Sequence, residues 1–439
     1  MILEDYIEKN ARLYGSKTAI ICGEERCTYQ ELHERVLARQ EEFRSRGYKN
    51  GQIVCMRSYA TIDYLVSYFA LHLSGIVAAP LGQAIPDAVF NEVAEKLESL
   101  TTPDGIADIL YTTGTTGISK GAMISHKAIL ADAENLVEGQ GFSHELAFVI
   151  NGPLNHIGSL SKVYPMILLG GTIIIVDGLK DINTFFSAFD YPAQKMATFL
   201  VPASIRILLQ LGADKLKAIA HKMDFIETGA AAISQADMLK LCELFPDSRL
   251  YNTYASTETG IISTYNFNDG RCMAGCLGRP MSHSRIIITP EGLISTQGDT
   301  TMSGYLGDPE RTASVLRDGT IYTSDIGSID EEGMLHLRGR EDDIINVGGF
   351  KVAPTEVEDA AMAFPDVKDC ICISVSHPIT GNAIKLLVSM NDGKPLDKKK
   401  LVLHLRDRLE IHQVPMLYEQ VDAIKRTFNG KIDRKFYRK

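Results

Sequence analysis

Apolar and polar positions along the chain follow two different periods. Over residues 28–47, Leu32, Val36 and Phe43 recur at helical spacing, Thr28 and Glu31 have the spacing of a capping box, and Gly47 ends the stretch, which predicts a helix. Short apolar runs at 18–22 and 53–56 bracket it as strands. Strand-like runs then recur at 106–111, 172–176, 197–201, 225–228 and 250–254, with helical stretches between them. Such alternation predicts α/β sheets with crossover helices. From Arg285 the pattern changes to short β pieces broken by Gly and Asp, in SRIIIT, GLISTQG, GTIYTSDIG and GMLHLRGR, which predicts a β-rich subdomain. Beyond the charged run REDD a new apolar pattern begins, with a helix over 355–364 opened by a Thr355/Glu358 capping box. The expected fold class is therefore α/β. A large N-terminal domain (1–339) holds two α/β sheet subdomains and the small β-rich subdomain, and a small α+β C-terminal domain (340–439) follows.

Composition narrows the partners. A chain of 439 residues with 45% apolar and 23% charged residues is too long for one core, so two or three domains are expected. A net charge of -10 argues against nucleic acid or an anionic membrane surface as partner. No run of about 18 apolar residues occurs and the start MILEDYIEKN has no basic region before an apolar stretch, so a soluble cytoplasmic protein without a membrane span is expected. The eight cysteines lack zinc-ligand spacing and read as reduced thiols.

The segment ADILYTTGTTGISKGAMISHKAIL runs from a buried strand into a Gly/Thr loop and on to Lys120. Backbone N–H groups of such a loop wrap phosphate oxygens, hydroxyls of Thr112, Thr113, Thr115 and Thr116 add donors, Gly114 and Gly117 let the backbone approach, and Lys120 supplies charge. The expected guest is a nucleotide phosphate. The loop lacks the G-K-[ST] ending of a Walker motif, because Gly121 follows Lys120. Ser125 caps the next helix, which makes His126 and Lys127 a helix start.

On these residues the chain resembles the adenylate-forming superfamily of acyl-CoA synthetases, aryl-CoA ligases, luciferases and peptide-synthetase adenylation domains. TTGTTGISKG resembles its phosphate loop, with Ser119 where proline is usual, and ETGAAAIS its adenine-side turn, which puts Gly229, Ala230 and Ala231 beside the nucleotide and the acyl pocket. YNTYASTETG resembles the segment that holds adenine and metal. The resemblance implies Asn252, Thr253 and Tyr254 at the nucleotide, with Tyr254 stacked on adenine, Ala255 at the acyl pocket, Thr257 at phosphate and Glu258 on Mg2+. It also implies Asp325 and Arg340 at the ribose, Asp342 as the hinge of a mobile C-terminal domain, and Gly348 and Gly349 along the thiol tunnel. Lys431, in RTFNGKIDRK, is placed at the reacting carboxylate. The implied cofactors are ATP, Mg2+ and coenzyme A.

Only about 25 residues separate Leu81 from the phosphate loop, where the family carries another strand and helix or more, so a piece of the N-terminal region is expected to be missing. NGPLNHIGSL resembles the CoA-ligase pattern that places His156 at the carboxylate pocket, and with no aspartate between Asn151 and Lys162 an α-amino acid is not the expected substrate. The expected activity is AMP-forming ligation of a small-molecule carboxylic acid to CoA, in a monomer or homodimer. Two alternatives stay open: an acyl carrier protein as acceptor, suggested by NGKIDRK, and a nucleotide-binding pseudoenzyme, suggested by the shortened segment.

Overall fold

Runs of β-branched residues that bury both faces pair in parallel, because crossover helices cover both sides of such a sheet. Leu146–Ile150 and Thr172–Ile175 are buried throughout and lie side by side. Lys195–Phe199, Met223–Gly229 and Arg249–Ser256 continue the sheet in parallel. Residues 1–112, 120–427 and 431–437 are described by a computed structural model, and four of these five strands stand where the apolar runs predict them, Leu146–Ile150 being the one without a predicted run.

The β-rich part departs from expectation. Gly260–Asn266 pairs antiparallel with Arg249–Ser256, and Cys276–Pro280, Leu335–Arg340, Thr320–Ile329, Leu293–Gly298 and Ser284–Ile288 follow, so the β-rich part continues the α/β sheet as one 14-stranded sheet. Antiparallel pairing through short turns lets the sheet run on without further crossover helices. A second sheet is built from Ile53–Arg57, Val77–Leu81, Ile106–Thr112 and Lys120–Ser125. The shortened segment between its second and third strands still supplies a helix, Asp87–Glu98. In the C-terminal part, Val367–His377, Gly381–Met390 and Leu417–Gln420 form a three-stranded sheet, packed by Val357 and Ala361 of one helix and Leu401 and Leu405 of another. Among the described residues no helix is long and apolar enough to cross a membrane, and all eight cysteines are free thiols.

Two of three predicted caps form. Thr28 and Glu31 make the reciprocal capping box, and the Ser125 hydroxyl accepts the Ala128 N–H. The Thr355/Glu358 box does not form: the helix begins at Pro354 behind Ala353, Thr355 Oγ1 donates to the Arg338 carbonyl, and Glu358 accepts from Arg434 and the Cys372 N–H. A guanidinium is a stronger partner for a carboxylate than a helix N–H, so tertiary contacts override the local signal.

One buried network ties the N-terminal helix to both neighbouring layers. His72 Nδ1 lies 2.7 Å from Glu4 Oε1 and its Nε2 lies 3.2 Å from Asp108 Oδ1, while the Tyr68 hydroxyl donates to Asp108 Oδ2 at 2.8 Å. None of the three charged side chains is exposed. Burial alone pushes the imidazole pKa down, but the two carboxylates outweigh it and carry it up to about 10. Since the folded value exceeds the unfolded one, this pairing stabilises the fold fully below about pH 6.5 and is lost as pH rises through about 10. Asp108→Asn is therefore expected to cost roughly 3–5 kcal/mol near neutrality and to flatten the decline of the melting temperature toward pH 10. Thermal unfolding of both proteins from pH 6 to pH 10 checks this, and parallel curves would refute it.

Candidate active site

The hairpin of Ile106–Thr112 and Lys120–Ser125 sets the base of the Gly/Thr loop, with Thr112 paired to Lys120. Thr113, Gly114, Thr115, Thr116 and Gly117 lie outside the described residues. Behind the hairpin runs a segment stitched to it by backbone bonds, Ser303 N to Met123 O, Met123 N to Gly304 O and Leu306 N to Gly121 O. This pins Tyr305, whose ring centre lies 5.1 Å from Lys120 Nζ and whose hydroxyl donates to Glu258 Oε1 at 2.8 Å. Tyr305 is the link that sequence reasoning missed. GYLGDPERT is recognisable, but nothing in it says that its tyrosine meets a carboxylate 47 residues away.

Glu258 stands at the tip of the turn joining Arg249–Ser256 to Gly260–Asn266. Ser256 and Thr259 bond each other through side chain and backbone, and Met302 N donates to the Glu258 carbonyl. The turn closes on Gly260 at φ +67, where a Cβ would meet Thr300 O at 2.6 Å and Asp132 Oδ1 at 2.7 Å, so only glycine fits. A register shift between Tyr254 and Ala255 re-aims the strand just before the turn. Asn252 and Thr253 face inward instead: Asn252 donates to the Cys276 carbonyl, and Thr253 meets Gln140 and Thr264. Thr257 and Glu258 are half-buried at the turn, and Ala255 packs at the edge of the main core.

Asp325 and Arg340 are direct partners across two antiparallel strands. Arg340 Nε donates to Asp325 Oδ1 at 3.1 Å and the Tyr254 hydroxyl to Asp325 Oδ2 at 2.6 Å. Burial, followed by the Asp325 charge, holds the Tyr254 phenol far above its usual range, so it stays a donor. Each Asp325 oxygen keeps a lone pair for a further donor. The C-terminal segment completes the cleft. Lys431 keeps solvent contact, yet crowding lowers its pKa, Arg340 lowers it further, and Asp325 and Glu258 pull it back up. His156 is lowered by burial and by the charge of Lys431, which favours the neutral imidazole. Lys431, Arg340, Asp325, Glu258 and His156 thus share one electrostatic neighbourhood.

On the acyl side Gly229 ends its strand where a Cβ would meet Thr253 O at 2.8 Å. Ala230 follows at φ +66, strained for a residue with a Cβ, and leads through Ala231 into the next helix. Gly348 and Gly349 form the turn of the hairpin Ile345–Val347/Phe350–Val352, with Asn346 and Thr380 as recorded partners rather than the charged cleft. Asp342 lies exposed in the single helical turn Glu341–Asp343 that follows Arg340. For a cation, the half-buried turn offers the second oxygen of Glu258 with the Thr257 hydroxyl one residue away, the oxygen donors a hard divalent ion takes.

The family model described as AMP-binding enzyme matches residues 7–99 and 82–306, and that of the AMP-binding enzyme C-terminal domain matches 356–431. Among curated proteins the chain is 29% identical to a feruloyl-CoA synthase of Amycolatopsis sp over 97% of this chain and 96% of that one. It is 30% identical to a long-chain-fatty-acid–CoA ligase of Bacillus subtilis (strain 168), over 78% of this chain and 64% of that one. Among solved structures, ATP-bound MatB from Rhodopseudomonas palustris shares the fold with a TM-score of 0.87 at 24% identity, covering 100% of this chain and 98% of that chain.

Two substitutions probe this geometry. Tyr305→Phe keeps the ring beside Lys120 but leaves Glu258 without its hydroxyl donor, which is expected to cost about 1 kcal/mol of stability and to lower ATP turnover several-fold. Unchanged turnover would show that Glu258 needs no positioning. Ala230→Gly removes the left-handed strain and is expected to raise stability by about 1 kcal/mol; a lower melting temperature would mean that the methyl group packs against something essential.

Proposed function

The chain belongs to the AMP-binding enzyme family, and we propose that its charged cleft joins a carboxylate to the α-phosphate of ATP before passing the acyl group to CoA. The protein is an AMP-forming acid–thiol ligase. The observation that carries this reading is that Lys431 lies near enough to Glu258, Asp325, Arg340 and His156 for their charges to act on one another, at a cleft where Arg340 and Tyr254 hold Asp325.

The acid is ionised at neutral pH, so no general base is required. The obstacle is charge: a carboxylate oxygen must attack a phosphorus surrounded by anionic oxygens while the bond to pyrophosphate breaks. Lys431 and Lys120 supply cations there, and fixed cations aimed at developing charge need no reorganisation during the reaction. The loop at 112–117 with Thr257 receives the phosphates, and Glu258 would hold Mg2+, which would neutralise phosphate charge. Asp325 accepts the ribose hydroxyls beside Arg340, and Tyr254 gives adenine a flat face. His156 lines the carboxylate pocket as a neutral imidazole, with Gly229, Ala230, Ala231 and Ala255 as neighbours, so it adds no charge to compete with Lys431.

In the second step the CoA thiolate attacks the carbonyl carbon of the acyl-adenylate and AMP leaves with the bonding pair. A lysine at the carboxylate is no longer needed. Residues 340–439 form the moving domain, Asp342 is its hinge, and Gly348 and Gly349 line the thiol path after the swing. The cytoplasm, with its CoA pool and reducing conditions, suits eight free thiols.

Acid-dependent exchange of pyrophosphate into ATP over a panel of acids is expected, with AMP rather than ADP as product; acid-dependent ADP would refute the reading. Lys431→Ala is expected to lower exchange roughly 100-fold or more and to leave thioester formation from synthetic acyl-adenylate and CoA within a few-fold of the parent. Equal loss of both would show that Lys431 acts throughout the cycle.

A further inference from the structure

Lys431 must be held at a point in the cleft, and it lies close to the end of the C-terminal part. Thr427 N and Oγ1 donate to the Lys431 carbonyl, and Arg426 bridges Ile432, so Lys431 is tied directly to the backbone beside Arg426. On its far side Arg434 Nη2 donates to buried Glu358 at 2.6 Å and its Nε lies 3.6 Å from Asp343. That anchor lies within the C-terminal part and fixes the Lys431 segment to its own domain. It does not fix the segment to the nucleotide side.

A second anchor does. Arg426 Nη2 donates to Asp369 Oδ2 at 2.6 Å, and the other oxygen of Asp369 accepts from Arg206 Nη1 at 2.9 Å. Arg206 belongs to the helix Pro202–Leu211 of the large part. Its Nε and Nη2 donate to Asp237 Oδ2, and Asp237 is itself held by the Ser234 hydroxyl at 2.8 Å. The four groups alternate in sign and sum to zero. They are well shielded, with side-chain exposures of 17% for Arg206, 5% for Asp237, 16% for Asp369 and 27% for Arg426. A planar guanidinium bonded at both ends fixes direction as well as distance. Close by, the Gln235 N–H at the start of a large-part helix donates to Asp359 Oδ1 of the C-terminal part at 2.9 Å.

We infer that Arg206 is a positioning residue for the adenylation half-reaction: through Asp369 and Arg426 it aims the Lys431 segment into the cleft. Arg206 touches no reacting atom in this role. Its effect exists only while the C-terminal part is docked as described, which separates it from Arg434, whose contacts travel with that part. This inference rests on the proposed function for its kinetic readout and on geometry alone for its structural one.

The test uses Arg206→Gln, which removes the charge and leaves a polar side chain with fewer donors, and Arg206→Lys, which keeps charge without the fork, in the full chain and in combination with Lys431→Ala. Arg206→Gln is expected to lower acid-dependent pyrophosphate exchange 10- to 100-fold, the order set by misplacing a catalytic group by about 1 Å. Thioester formation from synthetic acyl-adenylate and CoA is expected to stay within a few-fold. Arg206→Lys should recover part of the exchange, and adding Arg206→Gln to Lys431→Ala should cost nothing further. Unchanged exchange, equal loss of both half-reactions, or a full additional loss in the Lys431→Ala background would each overturn the inference. Hydrogen exchange at the Gln235 amide supplies the readout without catalysis. Arg206→Gln is expected to speed it at unchanged global melting temperature, and an unchanged rate overturns the relay. If the parent protein exchanges no pyrophosphate with any acid, the proposed function fails, and the Gln235 amide still decides the relay.

Discussion

Two anions must meet for this chemistry to happen, and the cations that allow it come from distant stretches of chain. Lys120 rises from the end of a hairpin in the second sheet. Lys431 arrives on the C-terminal segment. Neither position means anything unless the two parts of the molecule are docked, and much of the polar structure around the cleft can be understood as holding them so.

The means is a hydrogen bond or ion pair on each carboxylate, most of them partly buried. Tyr254 and Arg340 each hold one oxygen of Asp325, Tyr305 holds Glu258, and Arg434 holds Glu358. Removing one partner from such a pair leaves a desolvated charge behind, a larger cost than the pair's net benefit. That asymmetry favours one arrangement of the cleft over near-misses. Apolar packing does a different task. The large cores under the parallel strands and the separate core around Val357, Leu386 and Leu401 give two bodies, while ionic contacts such as Arg206–Asp369 set how the bodies meet. Ionic contacts at such a boundary part at lower cost than apolar ones, because water solvates their partners once parted and exposed apolar surface is not so compensated.

The same cleft shows why two half-reactions can share it. The charges around Lys431 are balanced but not symmetric, with Arg340 opposing its protonated form and Asp325 with Glu258 supporting it. Burial and the Lys431 charge both favour neutral His156, which leaves the positive charge there on Lys431.

Periodicity and local chemistry by themselves determined most of the strands and two helix caps, because these depend on neighbours within a few residues, while the nucleotide motifs and their order were legible through a family resemblance. The Thr-x-x-Glu signal at Thr355 misled for the same reason: it reports local options, and Arg338 and Arg434 offered better ones. Tertiary structure alone decided that the β-rich segment extends the α/β sheet, that Asn252 and Thr253 turn inward, and that Tyr305 meets Glu258. It alone joined Arg206, Asp369 and Arg426, residues separated by 163 and 57 positions. No pattern of spacing encodes such pairs, since burial and direction arise only when distant segments are packed together and a charged group must find its partner within hydrogen-bonding reach.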